Sequence, residues 1–90
     1  PYLRPLSSMT EEEAKEIAQE INRYYEDYLK KAEELRNTDE KEYKKFIISE
    51  YSLASADEMI AESGVDVTIG IDVNSKSIDI INYLKSRIGR

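Results

Sequence analysis

Seven apolar residues near the N-terminus, Ala14, Ala18, Ile21, Tyr25, Tyr28, Ala32 and Leu35, follow one another in alternating steps of four and three. Only a long helix gathers such a series onto one stripe, and a stripe of that period is a seam for packing against other helices. Ile17, Tyr24 and Leu29 widen it. Thr10 and Glu13 stand at capping-box spacing just before the series begins, and three glutamates in the first turn suit the positive end of the helix dipole. The pattern predicts one helix over residues 11–36.

Asn37, Thr38 and Asp39 interrupt the pattern with residues that end one helix and cap the next. Tyr43, Phe46, Ile47, Tyr51 and Ala54 then return at helical spacing. So short a connection predicts antiparallel neighbours. The expectation is an αα-hairpin over 10–54, with Ile21, Tyr25, Tyr28 and Leu35 packed against Tyr43, Ile47 and Tyr51. Ser55 and Glu58 repeat the capping spacing, Met59 and Ile60 follow, and Gly64 is a good C-terminal stop. These predict a short helix over 56–63.

From Val65 to Val73 the period changes to two. Val65, Val67, Ile69, Ile71 and Val73 alternate with Asp66, Thr68, Gly70 and Asp72, the pattern of a half-buried strand. Beyond it Asn74 or Ser75 caps a last helix carrying Ile78, Ile81, Leu84 and Ile88, with a strand over 78–82 as the rival reading. The expected fold class is therefore α+β and mostly helical: a long αα-hairpin, a short helix, one β-strand and a C-terminal helix. A chain of 90 residues makes this one small domain, divided as an extended lead-in over 1–9, a helical hairpin over 10–54 and a helix–strand–helix unit over 55–90. A lone strand leaves its backbone groups unpaired, so self-association through the 65–73 strand, or pairing with a protein partner, is expected.

Composition narrows the chemistry. With no Cys and no His, the usual nucleophile, general base and commonest metal ligands are missing. Asp72, Asn74 and Lys76 open like a calcium loop, but Lys76 replaces an oxygen ligand, Ser77 replaces the glycine and Tyr83 replaces the bidentate glutamate. Ser75, Lys76 and Ser77 are too close in sequence to form a serine–lysine dyad, and nothing supplies an oxyanion hole. No Gly-Lys-Ser/Thr follows Gly64 or Gly70, so there is no phosphate loop. The expectation is a protein that is not an enzyme and binds no cofactor and no metal.

Residues 10–42 hold twelve acids and six bases, an excess equal to the net charge of −6 for the whole chain. An acidic balance argues against nucleic acid as a partner. No apolar run approaches the length of a membrane span, and Pro1-Tyr2-Leu3-Arg4-Pro5 lacks the apolar core of a secretory signal. With no Cys to oxidise, a cytoplasmic setting is expected. The chain starts at Pro1 rather than Met, so a fragment or processed product is expected.

Seven tyrosines against one Phe is the unusual enrichment. Tyr is favoured at interfaces, so Tyr24, Tyr25 and Tyr28 are candidate interaction residues, together with Val67, Ile69 and Ile71 on the expected strand. The same tyrosines could equally form the hairpin seam with their hydroxyls at its rim. The expected function is a non-catalytic protein-interaction domain. The alternative is an acidic inhibitor that mimics nucleic acid with residues 11–42 as its decoy surface.

The run Pro1-Tyr2-Leu3-Arg4-Pro5-Leu6-Ser7-Ser8-Met9-Thr10-Glu11-Glu12-Glu13 resembles a segment of a large set of uncharacterised small proteins of gut bacteria and their phages. A weaker likeness covers Ile78-Asp79 through Tyr83-Leu84-Lys85. The strand-rich portion that precedes the run in that set, and the aromatic stretch that ends in Gly-Leu-Ile, are absent from this sequence. The resemblance implies a phage-like or accessory protein and assigns no functional residue.

Overall fold

The computed structural model describes residues 9–88, and the expected extended lead-in over 1–8 lies outside them. Four α-helices and one 3-10 turn make up these residues: α1 (Glu11–Thr38), α2 (Glu40–Phe46), the 3-10 turn (Tyr51–Leu53), α3 (Ala56–Ile69) and α4 (Ser75–Ile88). The chain is all-α among the described residues, with no strand, and the expected α+β class is corrected.

The first helix follows its sequence. Thr10 Oγ1 accepts the Glu13 N–H at 3.0 Å, and Glu13 Oε1 accepts the Thr10 N–H at 3.1 Å. This reciprocal cap satisfies two of the donors that a helix start leaves free. At about 1.5 Å per residue, the 28 residues of α1 account for most of the molecule's 45 Å long axis.

The second helix ends earlier than its periodicity suggests. Ile47 is already extended (φ −76°, ψ 147°), and the chain reaches the 3-10 turn through Ile48, Ser49 and Glu50. The backbone groups freed by this early stop find distant partners. The Tyr28 hydroxyl accepts the Ile48 N–H at 2.8 Å, and Asn74 Nδ2 donates to the carbonyls of Phe46 and Ile47 at 3.1 and 3.3 Å. Tyr51, expected in the seam with α1, is 73% exposed.

The largest correction concerns residues 65–73. Val65, Val67 and Ile69 lie in the last turns of α3, which runs through Gly64 and ends at Gly70. Gly70 takes the left-handed conformation (φ 72°) that L side chains resist, and its N–H closes the helix on the Asp66 carbonyl. A single strand here would have no ladder partner among the described residues, whereas the helix satisfies its amides internally. Asp66 then fixes the turn into α4: its Oδ2 accepts the Asn74 N–H at 3.0 Å and the Ser77 hydroxyl at 2.6 Å. Helix α4 runs through 78–82, so the strand alternative there is not formed either.

Helix α3 is the hub, packed on α4, on the 3-10 turn and on α1. The core gathers Ile21, Tyr28 and Ala32 from α1, Tyr43 and Ile47 from the second segment, Met59 from α3 and Ile80 from α4. Three buried serines sit among them, and each hydroxyl is bonded: Ser52 to the Ser49 carbonyl, Ser63 to the Met59 carbonyl and Ser77 to Asp66. Among the described residues no buried side-chain polar atom lacks a partner, as a uniquely packed core requires.

Candidate interaction surface

The six residues singled out in the sequence have separate fates. Tyr28 is buried and Tyr25 half-buried. The Tyr25 hydroxyl donates to the Leu53 carbonyl at 2.6 Å, and the Tyr28 ring stacks on Phe46 with centroids 5.5 Å apart. Both belong to the fold rather than to a free surface. Burial pushes the Tyr28 hydroxyl above its usual range, opposed by the Ile48 N–H that it accepts.

Tyr24 stands half-buried between two grooves. One, of about 260 Å³, is lined by Tyr24, Asp27, Tyr28, Phe46 and Lys76. There the Lys76 ammonium lies 4.1 Å from the centre of the Phe46 ring, a cation–π contact. Burial lowers the Lys76 pKa, with the Asp79 charge acting against it. The other groove, of about 250 Å³, runs between α1 and α4 and is lined by Glu20, Ile21, Tyr24, Asp79, Ile80 and Tyr83. Burial raises the Tyr24 pKa and the charge of Asp79 adds to it; burial followed by Glu20 does the same to Tyr83. At its rim Arg87 pairs with Glu16 at 2.8 Å and with Glu20 at 3.5 Å, and donates to the Tyr83 hydroxyl at 3.3 Å.

At the C-terminal end of α3, Ile69 and Val65 are 63% and 52% exposed, and Ile71 just beyond it is 73% exposed. Val65 and Ile69, four apart on α3, share one face. Val67 is half-buried, turned away from them by helical geometry. The expected single strand face of Val67, Ile69 and Ile71 is thus replaced by a helix end that presents Val65 and Ile69, with Ile71 just beyond it. Every charged residue of α3 is acidic: Asp57, Glu58, Glu62 and Asp66.

The motifs weighed for chemistry are taken up by the fold. Asn74 Oδ1 accepts the Lys76 N–H, Ser77 Oγ is buried on Asp66, and Lys76 lies over Phe46. Among the described residues no group of three His, Cys, Asp or Glu side chains is placed to hold a metal ion. No helix of these residues is long and apolar enough to cross a membrane.

Sequence reasoning missed Val65, Glu20, Asp79 and Tyr83. The four-residue spacing of Val65 to Ile69, and of Asp79 to Tyr83, carried the signal once both segments are helices. Comparison with known proteins adds no relative: no protein-family model, no curated protein and no solved structure matches the chain.

Proposed function

We propose that the chain is a non-catalytic protein-interaction domain that docks a partner through the C-terminal end of α3. The observation that carries this reading is the exposure of Val65, Ile69 and Ile71 at one end of a short helix. Single exposed aliphatics are ordinary on a protein surface, but neighbouring ones mark interaction sites. Helix α3 is apolar beyond the face it buries, as expected of a helix with a second contact to make. A cytoplasmic setting belongs to the same reading and rests on the Cys-free composition. The decoy alternative is not favoured, because exposed Lys15, Arg23, Lys30, Lys31 and Arg36 interleave with the acids of α1.

The test is selection of a random peptide library on the immobilised full chain. Selected peptides should lose binding to the Ile69→Ser/Ile71→Ser variant, with its helical circular dichroism unchanged. Peptides that bind parent and variant alike, or no selection at all, would refute docking at this end of α3.

A further inference from the structure

We propose that the groove between α1 and α4 receives the guanidinium of an arginine side chain presented by a protein partner. The groove joins three things that such a group needs. Ile21 and Ile80 give an apolar floor for the aliphatic stem, Tyr24 and Tyr83 give two aromatic walls, and Asp79 gives a carboxylate. A guanidinium is weakly hydrated, stacks on aromatic faces and presents a planar fork to a carboxylate, which a compact ammonium does not.

The charges in the groove are unequal. Glu20 is engaged by Arg87. Asp79 is exposed and forms no ion pair among the described residues; Lys76, whose charge it feels, is held over Phe46 in the neighbouring groove. Asp79 is therefore the carboxylate left to meet an incoming cation. The chain already uses the same chemistry twice on itself. Lys76 covers Phe46 on one side of Tyr24, and the Arg87 guanidinium carbon lies 6.0 Å from the Tyr83 ring centre while its nitrogens reach Glu16 and Glu20. A cation over an aromatic ring thus stands on both flanks of the groove, and on the Arg87 side carboxylates join it.

The inference rests on the reading of the chain as an interaction domain only for the source of the arginine. Its site is distinct from the end of α3, so the two can fail separately. The experiment is a nuclear magnetic resonance titration of the full chain with N-acetyl-arginine amide, and with the citrulline analogue, which keeps the shape and loses the charge. Arginine should give saturable shifts at Tyr24, Asp79, Ile80 and Tyr83, with a dissociation constant on the order of 1–10 mM. Citrulline should bind at least about tenfold more weakly. Asp79→Asn should weaken arginine binding about fivefold or more, and Tyr24→Leu, which keeps an apolar wall without a π face, should also weaken it. Ile69→Ser should leave it unchanged. Equal binding of citrulline, indifference to Asp79→Asn, shifts located elsewhere or no saturable shifts would each overturn the proposal. Arginine binding that survives while the α3 peptides fail would remove the docking site on α3 and leave the groove standing.

Discussion

The hydroxyl of Tyr28 lies 2.6 Å from the hydroxyl of Ser52, and the proton between them belongs to Tyr28. Ser52 has one hydroxyl hydrogen, which goes to the Ser49 carbonyl at 2.5 Å, so Ser52 accepts from Tyr28. Tyr28 in turn accepts the Ile48 N–H at 2.8 Å. One tyrosine on α1 thereby holds both the extended segment after α2 and the 3-10 turn before α3.

Tyr28→Phe keeps the ring stack on Phe46 but strips Ile48 of its acceptor and Ser52 of one of its two donors, the Ser49 N–H remaining. The expected cost is about 1–3 kcal/mol, the penalty of leaving buried polar groups unmade. Ser52→Ala should cost about 1–2 kcal/mol for the same reason. In urea unfolding the double variant should lose less than the sum of the two, because the shared bond is removed once. Strict additivity would show that the pair does not act as a unit.

Asp66 ties the end of α3 to the start of α4 through Asn74 and Ser77. Asp66→Ala removes a charged acceptor from two donors, one of them on a fully buried serine, and should cost about 1.5–3 kcal/mol. Asp66→Asn keeps one acceptor oxygen and should cost less. Denaturant unfolding measures both, and equal stability of Asp66→Ala and the parent would remove this tie from the account.

Helix α1 was legible because its determinants are local: the Thr10–Glu13 cap and the four-three steps lie within the helix itself. Helix α4 was legible for the same reason. Residues 65–73 were not, because an alternation of β-branched and polar residues fits a strand as well as two turns of a helix. What decides there is long-range: the side chain of Asp66 engages the start of α4, and among the described residues no second strand is present to pair with. The end of α2 is hidden in the same way, since Tyr28 and Asn74, 20 and 27 residues from the groups they satisfy at Ile48 and Ile47, make the stop tolerable. Of the candidate surface, Ile69 and Ile71 are exposed, but at and beyond the end of a helix rather than on a strand. Tyr25 and Tyr28 serve the packing, and Tyr24 is the one of the three that lines both grooves.

The core and the surface should respond differently to truncation. Ile80 is 2% exposed and belongs to the core cluster, so Ile80→Ala should cost about 2–5 kcal/mol. Tyr51 belongs to the apolar periodicity of residues 43–54 in the sequence but is 73% exposed, so Tyr51→Ala should change stability by less than about 0.5 kcal/mol. Thermal melting separates the two outcomes. A large loss at Tyr51 would restore the longer second helix.

Stability should fall at alkaline pH. Burial raises the pKa of Tyr24, Tyr28, Tyr43 and Tyr83, at Tyr43 with the help of Glu50, whose carboxylate accepts the Tyr43 hydroxyl at 3.1 Å. A raised folded pKa means that the fold favours the neutral phenol. That contribution is complete below the unfolded value of about 10 and is lost as pH rises from there through the folded value. Lys76 works in the opposite sense: its folded pKa is lowered, so the fold disfavours its charged form and gains as the lysine deprotonates. Four tyrosines oppose one lysine, so urea midpoints should drop as pH rises above about 10. In Tyr43→Phe the drop should be shallower, and an identical drop would exclude Tyr43 as a source.

The two glycines of α3 should respond with opposite signs. Gly64 lies inside the helix, and a Cβ built there meets nothing within 4 Å. Gly64→Ala should therefore stabilise the chain by about 0.5–1 kcal/mol, by reducing the freedom of the unfolded backbone and improving helix propensity. Gly70 caps the helix at φ 72°, where an L side chain strains the backbone, so Gly70→Ala should destabilise by about 1 kcal/mol. If Gly64 were instead the left-handed stop of a shorter helix, with a strand beyond it, Ala would be the costly choice at 64 and the signs would change places. Melting temperatures of the two single variants decide between these structures without any knowledge of the partner.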